Sequence, residues 1–319
     1  MSASETGLGD QPPHLSVLYN EIILALNPSK EGLYIDGTLG AGGHAHGILG
    51  ASEPSGMLLG LDTDPHAIEI ARIRLECFGN RVSIRKASYT QATEIAHAIG
   101  WQKVDGIVLD LGVSSMQIDQ PERGFSFKKD GALDMRFDPT KGATAADLVN
   151  TLTEVQLADI FWRYGEERYS RRIAAEIIKN RPIHKTEELA NLIRKTIGNR
   201  KEKIDPATRT FQALRIAVNN ELKNLEDALP NLVSLLKPSG RLAVISFHSL
   251  EDRIVKAYFM KESKDCICPT EQMICTCGHQ ATIKRVTIHP VTASAEEVSA
   301  NPRARSAKLR VAERLEPKN

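Results

Sequence analysis

Three aspartates are the residues of this sequence whose type and position could do chemistry. Each one ends an apolar run that has the length of a buried strand: Asp36, Asp62 and Asp110. A carboxylate at such a position can accept hydrogen bonds from the hydroxyls or amines of a ligand, and it can accept a proton. Because parallel strands end at the same edge of a sheet, we expect the three side chains to share one ligand-binding rim.

A glycine-rich turn follows the first of these aspartates and leads into a predicted helix. Its residues of interest are Gly37, Gly40, Gly42, Gly43 and then His44. Glycines allow positive φ and carry no Cβ, so a ligand can approach backbone amides at a helix N-terminus. The spacing is not that of dinucleotide-binding folds, because Gly43 follows Gly42 directly and no glycine stands three residues beyond Gly42. Taken alone, the turn is equally explained as a tight strand-to-helix connection.

Asp62 is the better of two candidates for binding ribose hydroxyls. In nucleotide-binding α/β folds an acidic residue roughly 20 residues beyond the glycines takes this role. Asp64 competes with it, but Asp64 precedes Pro65, and that pair is typical of an N-cap followed by proline at the first helical position. A glycine turn without a phosphate-binding lysine favours a ligand that lacks phosphates, and S-adenosylmethionine fits this description.

Strand and helix patterns alternate over the first 110 residues and predict a parallel sheet with helices on both faces, an α/β fold. The predicted strands are 33–36, 57–62, 82–85 and 104–110, and the predicted helices are 43–51, 64–78 and 90–99. A short helix over 17–26 precedes the first strand. The sheet resumes late in the chain with a helix over 222–236, a turn at 238–240, strands over 241–247, 282–288 and 308–312, and a helix over 249–261.

Between residues 118 and 217 the pattern contains no strand and predicts a helical insertion. A structured loop over 125–142 is followed by helices near 144–149, 153–163, 167–180 and 186–197 and by a fifth after Pro206.

From residue 168 to residue 209 there are twelve Lys or Arg residues against five Asp or Glu residues. Such an excess is typical of phosphate-binding surfaces, although a solvated helix face is the commoner explanation. Because the insertion follows the predicted cofactor rim in the chain, we interpret this excess of basic residues as a surface that contacts RNA. A second basic cluster comprises Arg303, Arg305, Lys308 and Arg310.

The cysteines leave two interpretations open. Four of the five are Cys266, Cys268, Cys275 and Cys277. Two close pairs could form a small tetrahedral zinc site, although C-x-C is tighter than the usual C-x-x-C; the alternative is reduced surface thiols. No catalytic metal is predicted. Cys77 is expected to pack within the helix over 64–78.

The hydropathy of the chain, its N-terminal residues and the crowding of four of its five cysteines into one segment together predict a cytoplasmic protein. No apolar run approaches the roughly 18 residues that a membrane helix needs. Residues 1–13 are polar and small, without the basic-then-apolar order of a secretory signal, and we expect them to form a disordered tail.

Eight motifs together resemble one family closely. They occupy residues 36–44, 109–115, 123–127, 133–136, 164–167, 206–213, 246–253 and 301–306. The family is the MraW/RsmH small-subunit ribosomal RNA (cytosine-N4)-methyltransferases, and the similarity runs from about His14 to Glu313.

The resemblance implies a class I S-adenosylmethionine-dependent methyltransferase, a Rossmann-like fold with a seven-stranded sheet and an inserted all-helical domain. The implied domains are residues 14–117 with 218–319 for methyl transfer and residues 118–217 for RNA contact. The implied substrate is the N4 amine of a P-site cytosine in 16S ribosomal RNA of the small subunit, with a homodimer left open. The implied cofactor contacts are Gly42, Gly43, His44, Asp62, Tyr89, Asp110 and Gln117.

Asp110 is the implied catalytic residue. It stands where amino-methyltransferases place an Asp/Asn-Pro-Pro-aromatic motif, but residues 110–113 read Asp-Leu-Gly-Val and lack the aromatic ring that stacks on the base. The candidates for that ring are Phe125, Phe127, Phe247 and His248. His44 is expected to be neutral because a helix N-terminus disfavours its protonation. Tyr89, where many members have Phe, can still stack on adenine.

Three other functions compete with this interpretation. A DNA or small-molecule methyltransferase would share the cofactor rim, although basic helices disfavour a small metabolite. An oxidoreductase is disfavoured by the missing dinucleotide motif. An assembly factor that has lost catalysis is disfavoured by the presence of all three rim aspartates. Labelled methyl transfer to RNA, ribosomal subunits and DNA separates these functions.

Overall fold

One seven-stranded sheet organises the protein. The computed structural model describes residues 16–198, 204–272 and 274–317, so the tail predicted for residues 1–13 lies outside the described part. The strands are β1 Leu33–Asp36, β2 Met57–Asp62, β3 Val82–Lys86, β4 Val104–Asp110, β5 Leu236–Ser246, β6 Ile283–Arg285 and β7 Lys308–Arg314. Their order is β3-β2-β1-β4-β5-β7-β6. The first five strands run parallel, whereas β7 is antiparallel to both β5 and β6.

Helices connect the strands and fill the segment between β4 and β5. Their bounds are α1 Tyr19–Leu26, α2 Gly43–Ala51, α3 Pro65–Leu75, α4 Ala92–Ala98, α5 Ser115–Asp119, α6 Ala145–Thr151, α7 Glu154–Gly165, α8 Ser170–Lys179, α9 Thr186–Ile197, α10 Ala207–Asn219, α11 Glu221–Leu235, α12 Ser249–Glu262 and α13 Ala295–Ala300. Within the described residues, no helix is both long and apolar enough to cross a membrane.

The two faces of the sheet bury different residues of the same strands. Ile35 and Leu109 belong to one apolar cluster, which α4, α11 and α12 cover. Tyr34 and Val108 belong to the cluster on the opposite face, which α1, α2 and α3 cover. The alternation follows from the two-residue period of a strand, and burial on both faces explains why these strands are continuously apolar.

The structure corrects three of the sequence-based predictions. The turn predicted at 238–240 lies inside β5, where it forms an irregularity between the pairs Val104–Leu236 and Gly106–Arg241. The strand predicted over 282–288 has only three residues. Cys77 is exposed rather than packed, because α3 ends at Leu75 and a 3-10 segment carries the thiol to the surface. Local propensity extends an element until tertiary contacts end it, so element ends are where prediction fails.

The helices between β4 and β5 have a core of their own. Leu157, Phe161, Ile193 and Leu214 are among its fully buried members. The loop predicted over 125–142 contributes to this core through Leu133, whose amide donates to the carbonyl of His184 at 2.9 Å. The Thr153–Gln156 capping box predicted at the start of α7 is present.

Two of the basic residues in the second predicted cluster serve the fold. Arg310 is 7% exposed, and its Nε lies 2.6 Å from Oδ1 of Asp252, while Nζ of Lys308 lies 3.3 Å from Oδ2 of the same carboxylate. These contacts fasten α12 to β7. Arg303 forms an exposed ion pair with Asp119 at 2.8 Å.

We expect Asp252→Ala to lower the free energy of unfolding by about 3–5 kcal/mol, because it leaves the buried Arg310 charge without a partner. Asp227→Ala is the matched control, since Asp227 pairs with Lys223 on the exposed surface of α11. We expect that control to change stability by less than about 0.5 kcal/mol. Denaturant unfolding measures both values, and equal effects of the two variants would contradict a buried role for Arg310.

Candidate active site

A cleft of about 370 Å³ opens at the carboxyl ends of β1, β2 and β4. Its size lies within the range of small-molecule sites. Of the residues predicted to bind a cofactor, six line it: Gly43, His44, Asp62, Tyr89, Asp110 and Gln117. The structure therefore brings together most of a set that runs from residue 42 to residue 117.

The glycine turn forms one wall of the cleft and is packed tightly against its surroundings. A Cβ on Gly37 would lie 2.5 Å from Cδ2 of Leu109 and 2.9 Å from Cβ of Tyr89, so only glycine fits there. Gly42 adopts φ of +77° as the N-cap of α2 and is not among the residues that line the cleft. It supports the wall from behind, and its direct contact with a cofactor stays a prediction.

Asp62 holds the shape of the glycine turn and also faces the cleft. Its Oδ2 accepts a hydrogen bond from the amide of Gly40 at 2.7 Å, and its Oδ1 accepts one from the amide of Asp64 at 2.9 Å. Each carboxylate oxygen has a second lone pair, so Asp62 can still accept bonds from ligand hydroxyls. Burial raises its pKa above the usual value.

Asp64 caps α3, as predicted, and also anchors two other residues. Its Oδ1 accepts from the amide of His66 at 3.0 Å. Its Oδ2 accepts from Nε2 of Gln117 at 2.8 Å and from Nη1 of Arg123 at 2.7 Å. The side-chain oxygen of Gln117 accepts from the amide of Ser114 at 3.0 Å. Gln117 thus lines the cleft with an amide whose orientation the protein fixes, and its role in cofactor binding stays a prediction.

His44 is buried beside the catalytic candidate rather than exposed in a loop. It is 4% exposed, its Nε2 lies 3.0 Å from the carbonyl oxygen of Val17, and its Nδ1 lies 3.8 Å from Oδ2 of Asp110. Burial lowers the pKa of His44 to about 4, so the ring is neutral at neutral pH. A neutral ring that donates from Nε2 to Val17 presents an unprotonated Nδ1 towards Asp110.

The three rim aspartates end neighbouring strands, as expected, but only two of them reach the cleft. Asp36 is 1% exposed and lies beneath the cleft, where its Oδ1 accepts from the amide of Thr38 at 3.2 Å. Burial, with a smaller contribution from Asp62, raises the pKa of Asp36 to about 7. Asp36 is therefore a structural neighbour of the site rather than a ligand contact.

Asp110 is a buried carboxyl group at the centre of the cleft. Its amide donates to Oγ1 of Thr38 at 2.6 Å, which fixes the end of β4 beside the glycine turn. Burial, followed by the charges of Asp36 and Glu251, raises the pKa of Asp110 well above its usual value. Its Oδ1 is buried and has no hydrogen-bond partner among the described residues. An unpaired buried acceptor is costly and is satisfied when a donor binds.

A second set of titratable groups, missed by the sequence-based analysis, lies beyond Asp110. Glu221 and Glu251 both line the cleft. One carboxylate oxygen of each glutamate and one ring nitrogen of His248 all lie within 4.8 Å of one another. Arg215 forms two parallel bonds of 2.8 Å to Glu221. The motif at 246–253 contains Glu251, but only the fold places the start of α11 beside it.

The two glutamates are held in different electrostatic environments. Burial raises the pKa of Glu221, against the opposing effect of Arg215. Burial alone would also raise the pKa of Glu251, but the close contact with His248, whose Nε2 lies 3.2 Å from Oε1 of Glu251, and the charge of Arg215 outweigh it and lower that pKa. A pair of acids whose pKa values are moved in opposite directions is typical of catalytic clefts.

Of the four predicted base-stacking residues, Phe247 alone lines the cleft. Phe125 and Phe127 pack within the helical insertion against Phe137 and Phe211, and His248 pairs with Glu251. Phe137, which the sequence-based analysis did not single out, also lines the cleft. Its position depends on Arg123 and Asn219, which bond to the peptide groups on either side of it.

The basic insertion divides into paired and unpaired cations. Arg181, Lys185 and Arg194 bond to backbone carbonyls or carboxylates of the insertion, and Lys179 pairs with Glu176. Among the basic residues from 168 to 209, the exposed side chains that make no hydrogen bond or ion pair with any described residue are Arg168, Arg171, Arg172, Lys195 and Arg209. Arg200, Lys201 and Lys203 lie outside the described residues.

The sheet order with its reversed β7 and the acidic, glycine-lined cleft define a class I S-adenosylmethionine-dependent methyltransferase, as the resemblance implied. The sequence matches the MraW methylase family over residues 11–315, and the chain belongs to that family.

Relatives of known name agree with this assignment. The chain is 54% identical over 307 residues to the ribosomal RNA small subunit methyltransferase H of Geobacter sp. strain M21, covering 95% of this chain and 98% of that protein. It is 51% identical over 303 residues to the protein of the same name from Dehalococcoides mccartyi strain 195, covering 95% and 87%. A solved rRNA methylase from Streptococcus thermophilus superposes with a TM-score of 0.41 at 10% identity over 97% of this chain and 100% of that one, a similarity too weak to bear on function.

Asp36→Asn tests whether the buried carboxyl under the cleft is destabilising when ionised. A folded-state pKa of about 7 against an unfolded value of 3.8 means that the wild type loses stability as the pH rises from about 4 to about 7. The neutral Asn avoids this loss. We therefore expect the stability of Asp36→Asn, relative to wild type, to be about 2–3 kcal/mol greater at pH 8 than at pH 5. Denaturant unfolding measures the free energies of unfolding of the variant and the wild type at both pH values. If the variant differs from the wild type by the same amount at pH 5 and at pH 8, the raised pKa is contradicted.

Proposed function

We propose that this protein transfers the methyl group of S-adenosylmethionine to the exocyclic N4 amine of a P-site cytosine in 16S ribosomal RNA of the small subunit. Membership of the methylase family and the names of its relatives support a ribosomal RNA substrate. The observation that carries the choice of an amine is the buried Oδ1 of Asp110, an acceptor beside the open cleft that has no partner among the residues the structure describes.

The donor set of the cleft fits this cofactor. Asp62 offers carboxylate lone pairs for ribose hydroxyls, and Tyr89 offers a half-buried ring for adenine. Gly43 and His44 offer the first turn of α2. None of the residues that the glycine turn contributes to the cleft is a lysine, and this suits a nucleoside without phosphates. When bound, the cofactor supplies an electrophilic methyl group on a sulfonium centre.

Asp110 has the chemistry that the acceptor amine requires. The lone pair of cytosine N4 is delocalised into the ring, so the amine becomes nucleophilic only when an acceptor draws on its N–H bonds. An amine that gained a methyl group as the sulfur–methyl bond broke would have to lose one proton, and Oδ1 of Asp110 would accept it. The raised pKa makes Asp110 a stronger base than an ordinary aspartate, provided that the pH is high enough to ionise it.

Phe247, Glu221 and Glu251, which lie beyond Asp110 in the cleft, are suited to contact the ring and the polar edge of the cytosine. We propose that Phe247 takes the stacking role, because it lines the cleft and adjoins Glu251, whose Oε2 accepts from the amide of Phe247 at 2.9 Å. A base acted on by an enzyme is normally flipped out of its stack and held by an aromatic ring and by polar contacts to its edge. Glu221 and Glu251 are the polar groups that supply such contacts here.

The unpaired arginines of the insertion suit the RNA backbone. Arg209 is an exposed residue in the first turn of α10 and precedes Arg215 by six residues, about 9 Å along the helix. Arg168 precedes α8 by two residues, and Arg171 and Arg172 lie in its first turn. We infer that residues 118–217 are the RNA-contacting unit and that residues 14–117 with 218–319 bind the cofactor.

The proposal also includes where the protein acts and in what form. A substrate in the small ribosomal subunit implies action in the cytoplasm. The homodimer stays a prediction, and sedimentation of the purified protein measures it.

Asp110→Asn and Asp110→Ala test the catalytic assignment. We expect each to lower kcat by about 10²–10⁴-fold, because the amine loses its proton acceptor, while cofactor still binds. In the wild-type enzyme kcat/KM should rise with pH through a pKa well above that of an ordinary aspartate, since Asp110 must be ionised. Labelled methyl transfer to small subunits measures the rates, with free RNA and DNA as comparison substrates. Retained turnover in either variant would refute the role of Asp110.

Asp62→Ala is the contrasting variant for that experiment. It removes ribose contacts and the bond to the Gly40 amide, so calorimetry should show weakened cofactor affinity. A purely chemical defect with unchanged affinity would overturn its assignment as a cofactor ligand.

Arg209→Gln and Arg171→Gln test the RNA surface. Each should raise KM for the RNA substrate and reduce the salt dependence of binding by about one unit of slope, because one phosphate contact is lost, while kcat is retained. Lys179→Gln is the matched control on the same helix as Arg171, since Lys179 already pairs with Glu176. Equal effects of the control and the two arginine variants would remove the case for specific contacts.

A further inference from the structure

Four of the five cysteines converge in the segment between α12 and β6. Cys266 and Cys268 form one C-x-C pair, and Cys275 and Cys277 form the other. All four sulfur atoms lie within 4.8 Å of one another. The proposed methyl transfer uses none of them, because the segment follows the far end of α12, about 20 Å along that helix from His248.

The spacing of the sulfurs is that of ligands around a tetrahedral ion. Two Zn–S bonds of about 2.3 Å at the tetrahedral angle place their sulfurs about 3.8 Å apart. The sulfurs of Cys275 and Cys277 are 3.6 Å apart, and those of Cys277 and Cys266 are 3.9 Å apart. A disulfide requires about 2.05 Å, and all five cysteines are free thiols.

Backbone amides point at two of the sulfurs. The amides of Ile267 and His279 lie 3.4 and 3.5 Å from the sulfur of Cys277, and the amide of Cys268 lies 3.4 Å from the sulfur of Cys266. Gly278, with φ of +60°, lets the chain reverse so that the amide of His279 reaches back to Cys277. Such donors stabilise negative charge on sulfur, which is the form that binds a metal.

The rest of the segment fixes the two pairs relative to each other. The amide of Gln272 donates to the carbonyl of Pro269 at 3.0 Å, and its Nε2 lies 2.8 Å from Oγ1 of Thr276. At the ends of the segment, the amide of Thr282 donates to the carbonyl of Glu262 at 2.8 Å. The C-x-C turns, although tighter than the usual C-x-x-C, therefore both present their thiols to one centre.

Unmetallated thiols explain this arrangement less well. Cys266, Cys275 and Cys277 are exposed, and the described segment contributes no buried apolar residue to any of the three cores. Apolar packing is therefore not what holds the four sulfurs together. Four sulfur ligands at tetrahedral spacing are the donor set of structural zinc.

We propose that Cys266, Cys268, Cys275 and Cys277 bind one Zn²⁺ ion as a closed, structural four-cysteine site. The ion ties the segment between α12 and β6 into a compact loop and takes no part in methyl transfer. This inference rests on the cysteine geometry and is independent of the proposed function.

The experiment uses the full chain, reduced and stripped of metal, and titrates it with Co²⁺ alone and then with Zn²⁺ alone. We expect about one Co²⁺ per chain with the intense sulfur-to-cobalt absorption and the visible bands of a tetrahedral four-thiolate site, displaced by about one Zn²⁺. Elemental analysis of the protein as purified should also give about one zinc per chain. Thiol titration should find four cysteines protected until the metal is removed.

Cysteine variants locate the site. Cys268→Ser and Cys275→Ser should each abolish the four-thiolate cobalt spectrum, whereas Cys77→Ser, the exposed thiol outside the segment, should leave it unchanged. The titration of the unsubstituted chain decides the matter even where a variant folds poorly. Absence of tetrahedral cobalt binding by the reduced wild type, disulfides between these cysteines in the protein as purified, or iron in place of zinc would each overturn the proposal.

Discussion

Desolvation of the carboxylates at the carboxyl edge of the sheet is the constraint on which the active site depends. Asp36, Asp62 and Asp110 end strands that are neighbours in the order β2-β1-β4, and burial is the largest cause of each raised pKa. Keeping ionisable groups in such a place destabilises the fold unless amides or ligands satisfy them. The amides of Thr38, Gly40 and Asp64 satisfy the first two, whereas Oδ1 of Asp110 accepts no hydrogen bond from the described part of the chain.

The helical insertion is attached to that edge by buried polar contacts rather than by a continuous apolar core. Asp64 binds Gln117 and Arg123, and Arg123 in turn donates to the carbonyls of Arg136 and Phe137. Asn219 holds the other side of the same turn. A displacement of the insertion would therefore be transmitted to the cofactor wall and to the aromatic side of the cleft together, which suits an enzyme that must align a base with a cofactor.

A basic residue of this protein can be assigned to phosphate binding only after its hydrogen-bond and ion-pair partners in the fold are known. Arg310 lies within a cluster of basic residues near the C-terminus, yet it is buried against Asp252 and stabilises the contact of α12 with β7. Arg181 similarly donates to the carbonyl of Val149 inside the insertion. The cations that remain available to phosphates, such as Arg171 and Arg209, are those that the fold leaves exposed and that form no ion pair with a described residue. A count of charges along the chain cannot separate these groups.

The sequence by itself determined the sheet, the glycine turn and the aspartates at the strand ends, because these depend on local periodicity and on residue types that few conformations accommodate. It also determined the cap at Asp64, a contact within two residues. Only the tertiary structure decided that Asp36 lies below the cleft, that Gly42 stands behind its wall, and that Glu221 and Glu251 meet beside Asp110. Those placements depend on which distant segments pack together and on how deeply each carboxyl is desolvated, and neither quantity is encoded in the spacing of residues along the chain.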